Sequence, residues 1–239
     1  MASRATGFGD AIAIRTGALL AMISLGPLGD RAFLAHFATE DEASSWTAAV
    51  RGKTWSGILD VVLAYRTAAV FADPDLVDLD HLEAELRQVD SPGGPFSEDE
   101  GTLIRLPVLY DGEDLPEIAR RLGLTESEVV SLHSGTDYRV YAIGFLPGFP
   151  YAGYLPEGLS GLPRREVPRQ QVPAGSVAIV GRQTGVYPNP SPGGWHLIGR
   201  TPLRIVDVER ARFPIRAGDR IRFEPMSAQD FAARQGEFL

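Results

Sequence analysis

Apolar and polar positions follow one texture up to about residue 90 and another after about residue 100. In the first part, Met22–Leu28 and Arg31–Phe37 read as strands, the second with Phe33, Ala35 and Phe37 on one face. Glu40–Val50 has the spacing of a helix that turns Trp46 and Val50 toward a core. Leu79–Val89 has the same spacing, with Leu79, Leu82, Leu86 and Val89 on one side. Between the two helices, Gly57–Tyr65 carries the Ile, Val and Leu of a buried strand, and Ala68–Phe71 adds another before Asp73-Pro74.

The order strand, helix, strand, strand, helix predicts a small α+β sandwich of the ferredoxin-like kind over residues 22–92. Residues 1–21 look like an N-terminal extension, and Met22 is a candidate start. Ser91-Pro92-Gly93-Gly94-Pro95 is turn-rich, the following Ser97–Glu100 is acidic, and a domain boundary is expected there. The second domain is expected over residues 96–229, with 230–239 as a tail. It opens with a strand at Thr102–Tyr110 and two short helices. Asp114 with Glu117, and Thr125 with Glu128, are spaced as capping boxes, and Gly123 marks a C-terminal stop. From Tyr138 onward come short strands broken by Gly and Pro: Tyr138–Ile143, Ser176–Val180, Trp195–Gly199, Leu203–Val206 and Arg220–Phe223. That texture predicts a closed or nearly closed β-barrel. There is no internal repeat.

The helix pair in Asp114–His133 has the look of a DNA-binding helix-turn-helix, but its chemistry is wrong for one. Its second helix carries Glu126, Glu128 and His133 and no Arg or Lys, whereas DNA is a polyanion. Two helices capping a barrel is the expected role, and no nucleic-acid partner is expected. The net charge is −8, unevenly spread: residues 1–138 hold 10 basic and 23 acidic side chains, residues 139–225 hold 12 and 6. This split fits either an acidic solvated surface or an anion-binding pocket in the second half. No cysteine is present, which excludes disulfides, thiolate metal sites and a cysteine nucleophile. Lys53 is the one lysine and follows no glycine run, so a Walker phosphate loop is excluded. No apolar run reaches the ~20 residues of a membrane helix. The reading is a cytoplasmic protein with no membrane partner and no metal.

Residues 141–202 concentrate the candidate chemistry. Gly144-Phe145-Leu146-Pro147-Gly148-Phe149-Pro150-Tyr151 comes first. Val172-Pro173-Ala174-Gly175-Ser176 leads to Gly181-Arg182-Gln183-Thr184-Gly185-Val186-Tyr187-Pro188. Ser191-Pro192-Gly193-Gly194-Trp195-His196-Leu197-Ile198-Gly199-Arg200-Thr201-Pro202 comes last. Gly148, Gly193 and Gly194 suit tight turns whose backbone N–H groups can hold an oxyanion, and Pro147 stiffens such a turn. Phe145, Phe149, Tyr151 and Trp195 are either core or the walls of a pocket for a flat ring. Gln183, Thr184, Tyr187 and Ser191 offer loop hydrogen bonds; Gln183 can orient an amide and Tyr187 can donate to a developing negative oxygen. Arg169 and Arg200 can fork onto a carboxylate, and His133, at a helix end, is a candidate general base. His133, Gln183, Tyr187 and Arg200 are the catalytic candidates; the others, with His196, are substrate-binding candidates.

These segments resemble the signature of the bacterial 5-oxoprolinase B-subunit family, also called KipI-like or allophanate hydrolase subunit 1. The match covers roughly residues 22–225 and is strongest after Arg105; Gly26–Phe37 also fits in style. The resemblance implies an N-terminal α+β domain and a C-terminal cyclophilin-like β-barrel. It implies two partners, a KipA-like C subunit and a LamB/YcsF-like A subunit. Together the three would hydrolyse 5-oxo-L-proline to L-glutamate at the expense of ATP. Relatives act in urea carboxylase systems and KipI inhibits a histidine kinase, so the resemblance leaves two alternatives: a KipI-type inhibitor of a histidine kinase, or a urea carboxylase/allophanate hydrolase-related subunit. Two positions depart from the pattern: His196 stands where an amide such as Gln is more common, and Tyr154 where a small residue is more usual.

Overall fold

Residues 22–90 and 101–239 are described by the computed structural model. The expected extension 1–21 and the linker and acidic run at 91–100 lie outside the described residues. In the first part, β1 (Met22–Pro27) and β2 (Ala32–Phe37) form a hairpin, followed by α1 (Glu40–Arg51), the hairpin β3 (Ile58–Ala64) and β4 (Thr67–Ala72), and α2 (Leu79–Arg87). The sheet order is β1-β2-β4-β3, all antiparallel. Thr39 starts α1 with a capping box: its hydroxyl accepts from the Glu42 amide, and the Glu42 carboxylate accepts from the Thr39 amide. Of the expected inward residues, Trp46, Val50, Leu82, Leu86 and Val89 are buried in one core with Phe33, Val61 and Val70, and Leu79 packs against it partly buried.

The second part contains β5 (Leu103–Val108), α3 (Leu115–Leu122), α4 (Glu126–Ser134), β6 (Asp137–Ile143), β7 (Pro150–Gly153) and β8 (Arg169–Val172). They are followed by β9 (Ser176–Val180), β10 (Gln183–Val186), β11 (Ser191–Gly193), β12 (His196–Arg200), β13 (Arg220–Pro225) and α5 (Ala228–Arg234). β6, β7, β10, β9 and β12 pair in that order, and β13 joins β6 to β5. Among the described strand pairs, only β5–β13 is parallel. A backbone bridge between Leu109 and Arg200, each amide donating to the other's carbonyl at 2.9 Å, returns the ladder from β12 to the end of β5. The strand pairings therefore close on themselves. Gly199 permits this closure: a Cβ there would lie 2.6 Å from the Leu109 carbonyl oxygen and 2.9 Å from Val108 Cγ1. The fold is α+β, mostly antiparallel sheet with a few helices.

Strand periodicity sorts the barrel strands onto two faces. Along β9, Val177 and Ile179 enter the main core with Val140, Val186, Ile198, Ile221 and Phe223. Ala178 and Val180 point the other way, into a separate cluster with Phe149, Val172, Tyr187, Trp195 and Leu197. The two-stranded ribbon of β8 and β11 adds its Val172 to that outer cluster. Both helices of the pair pack on the barrel, α3 against β12 and α4 against β13. Thr125 makes the expected capping box with Glu128, and Gly123 closes α3 at φ 68°. Asp114 precedes α3, but its side chain makes no cap, because it is drawn elsewhere.

Two other expectations differ. Leu203–Val206 is not a strand: Leu203, Ile205 and Val206 are buried, but the backbone makes only an isolated bridge from Arg204 to Phe238. Residues 230–239, expected as a tail, are packed: Phe231 is buried, and the Glu237 carbonyl accepts from the Arg204 amide.

His133 lies at the heart of the barrel, fully buried, its ring against Tyr138 and Phe223. Nδ1 is 2.8 Å from the Tyr110 hydroxyl and Nε2 is 2.9 Å from Thr184 Oγ1. Since the Thr184 hydroxyl donates to the Ala178 carbonyl, Nε2 carries the proton and Nδ1 accepts from Tyr110. Burial lowers the His133 pKa from 6.5 to about 3.

Two outcomes follow for stability. Gly199→Ala forces β12 away from Leu109 and is expected to cost about 1–3 kcal/mol in denaturant unfolding, without loss of secondary structure by circular dichroism. For His133, the unfolded chain takes up the extra proton between pH 6.5 and about 3 while the folded chain does not. Stability therefore falls as pH drops through that window, by up to about 1.4 kcal/mol per pH unit. His133→Gln is expected to be less stable at neutral pH and to remove that part of the slope, as read from unfolding midpoints across the window.

Candidate active site

The outer aromatic cluster encloses a cavity of ≈ 230 Å³ lined by Phe145, Phe149, Tyr151, Tyr187 and Trp195, with Gly193, Gly194, Pro168, Pro192, Arg164 and Arg165. Phe149 organises it, meeting Phe145, Tyr151, Tyr187 and Trp195 edge to face at 5.0–5.6 Å between ring centres. Such contacts hold rings in fixed orientation. Local conformation sets the wall: Gly148 turns the chain at φ 77°, and Phe145 takes φ 63° at the mouth, where it is 61% exposed. Gly193 leaves room for Tyr187, since a Cβ there would be 2.9 Å from the phenol ring. Tyr187 is 1% exposed, and burial raises its pKa, so it stays protonated. The Trp195 backbone beside its hydroxyl opposes that rise.

A buried ion cluster stands behind one wall. Asp114, 5% exposed, accepts from Arg165 Nη1 at 2.7 Å, from Arg169 Nη2 at 2.8 and 2.9 Å, and from the Leu197 amide at 2.7 Å. Arg169 also donates to Glu113 at 2.6 Å and to the Trp195 carbonyl at 3.4 Å. Arg169 is thus tied to two carboxylates and holds the wall rather than lining the cavity.

The other sequence candidates are distributed over the molecule. Pro147 lies in the turn and Gly148 packs against Val206 and Phe213. His133 and Thr184 bond to each other inside the barrel, and neither lines the aromatic cavity. Its burial and neutral, doubly bonded ring give it a structural part. Ser191 is buried, with its hydroxyl on the Pro192 carbonyl. His196 is buried and donates Nε2–H to the Pro163 carbonyl at 2.8 Å. Gln183 reaches the other part of the chain and donates to the Tyr65 hydroxyl. Arg200 forks onto Asp111 at 2.7–3.2 Å and lies over the Phe231 ring. It borders a second cleft of ≈ 650 Å³ formed by Pro173–Ser176, Gly199–Arg204 and α5 residues. A third, ≈ 720 Å³, opens between β3 and residues 211–217, and none of the sequence candidates lines it.

Several glycine amides away from the cavity are committed. The N–H groups of Gly112, Gly144, Gly175 and Gly181 donate to backbone carbonyls. No group of three or more His, Asp or Glu able to hold a metal gathers among the described residues, and no helix among them is long and apolar enough to cross a membrane. Arg164, Arg165 and Pro168 went unrecognised in the sequence, and Asp114 was read there only as a helix cap. The available signal was an arginine pair in a proline-flanked segment, Pro163–Pro168, inside the half with the positive excess.

The family described as carboxyltransferase domain, subdomain C and D, matches residues 23–215. The 5-oxoprolinase B subunit of Escherichia coli O157:H7 is 46% identical over 160 residues, 65% of this chain and 72% of the relative. That of Bacillus subtilis (strain 168) is 35% identical over 231 residues, 88% and 95%. The crystal structure of TTHA0988 superimposes with a TM-score of 0.73 at 39% identity; the match covers 83% of this chain but only 41% of that one. With a family profile over most of its length and a relative at 35% identity matched nearly end to end, the chain belongs to the 5-oxoprolinase B-subunit family of carboxyltransferase-type domains.

Proposed function

We propose that this chain works as the B subunit of an ATP-dependent 5-oxoprolinase and that its aromatic cavity holds the ring of 5-oxo-L-proline. The observation that carries this reading is the cavity itself: the motif segments converge on one small aromatic space with a buried phenol in its wall. Opening a lactam requires charge to be stabilised on the ring carbonyl oxygen. Tyr187 lines the cavity and is kept protonated by burial, so it can donate to an oxygen held there. Phe149 and Trp195 would hold the ring flat and exclude water. ATP would supply the activation of the amide. With no Walker loop, this chain's part is to bind and orient the ring.

The remaining components would be a KipA-like C subunit and a LamB/YcsF-like A subunit, in the cytoplasm. The self-closing strand pairings support a cyclophilin-like barrel over 96–229. The order β1-β2-β4-β3 with two helices supports a ferredoxin-like sandwich over 22–92.

The reading is tested by ATP-dependent glutamate release from 5-oxo-L-proline in the assembled complex of this chain with those two components. Omission of this chain is expected to abolish it; a folded, assembled complex with no activity would overturn the reading. Within an active complex, Trp195→Ala is expected to raise KM at least about tenfold, while Arg200→Ala and Gln183→Ala, which alter an exposed ion pair and a remote contact, stay within about threefold. The opposite pattern would move the site to the cleft beside Arg200.

A further inference from the structure

Apolar walls explain how a ring is held but not which ring. Of the residues lining the aromatic cavity, the charged ones are Arg164 and Arg165, and no carboxylate lines it. Arg165 is committed: Nη1 is bound to Asp114, and its backbone amide donates to the Gly194 carbonyl at 2.9 Å. Arg164 is different. It is exposed, and no hydrogen bond or ion pair holds its guanidinium among the described residues. It nonetheless lines the cavity with Tyr151 and Tyr187, and its positive charge opposes the upward effect of burial on the pKa values of both phenols. The cavity thus has an apolar body of Phe149, Trp195, Pro168 and Pro192, the phenols of Tyr151 and Tyr187 in its wall, and an uncommitted guanidinium. At ≈ 230 Å³ it is smaller than the drug-sized pockets that begin at about 300 Å³. It has room for one small ring.

We propose that Arg164 is the carboxylate-recognising residue of this cavity, so that the site selects a small planar ring bearing a carboxylate over its neutral analogue. The assignment rests on the reading of the cavity as the lactam site. A guanidinium is suited to this role because its planar donors match the two carboxylate oxygens. Arg165, anchored by Asp114, keeps the backbone adjoining Arg164 in place.

The test is steady-state kinetics of the assembled complex carrying Arg164→Gln or Arg164→Lys, with 2-pyrrolidinone, the lactam without a carboxylate, as a competing ligand. Arg164→Gln is expected to raise KM for 5-oxo-L-proline about 10- to 100-fold with kcat within about threefold, as for loss of one charged hydrogen-bonding group. Arg164→Lys should recover part of the loss. The inhibition constant of 2-pyrrolidinone and the thermal midpoint should stay at wild-type values. An unchanged KM in Arg164→Gln, with Trp195→Ala still raising it, would overturn the arginine assignment and leave the cavity as the lactam site. An unchanged KM in both variants would overturn the cavity reading and the arginine assignment together.

Discussion

The carboxylate of Asp114 is the point on which the candidate site depends. It joins three segments distant in sequence: the start of α3, the Arg165–Arg169 stretch leading into β8, and Leu197 in β12. A buried charge is tolerated only when its lone pairs are met, and two guanidiniums and an amide meet them here. Losing the carboxylate would leave Arg165 and Arg169 without their main partner, a change that costs about 3–5 kcal/mol when such pairs are buried. The same contacts hold Pro168, Trp195 and the arginine pair in one arrangement. The ion cluster is thus the frame of the cavity rather than a part of its chemistry.

A second set of contacts fixes how the two parts of the chain meet. The sheet runs through a single residue pair, Ala64 with Ala142, between β3 and β6. Around it Tyr65, Tyr141 and Tyr154 gather with ring centres 5.2–6.5 Å apart. Tyr154 donates to Glu40 and Arg139 to Asp41, both at 2.6 Å, and Gln183 donates to Tyr65. Burial pushes the Tyr65 hydroxyl up to about 12, so this junction keeps its phenols neutral. Tyr154 and Gln183, singled out for chemistry or for departure from a family pattern, are joining residues.

Much of the architecture was legible because burial leaves a periodic trace. Trp46, Val50, Leu82, Leu86 and Val89 sit where helical spacing puts them, and Ser176–Val180 is the strand that its run of Val and Ile predicts. The missed strands β7, β8, β10 and β11 are three or four residues long and rich in Gly, Pro, Gln or Arg. Their extended form comes from the strand beside them. The Leu203–Val206 error is the converse: apolar alternation records burial, but a strand also needs a neighbour with free backbone groups.

By itself the sequence determined the class of fold, the boundaries of the longer elements and the segments that line the candidate cavity, since local propensity and spacing depend on neighbours along the chain. It also identified the aromatic set Phe145, Phe149, Tyr151, Tyr187 and Trp195. Only the tertiary structure decided that these residues share one cavity while His133 and Thr184 lie inside the barrel, Gln183 at the junction and Arg200 on Asp111. The physical reason is that the strand pleat sends adjacent residues such as Thr184 and Gln183 to opposite faces, and ion pairing draws Asp114 from a helix cap to arginines some fifty residues away. Those choices depend on partners that are near only after the chain has folded.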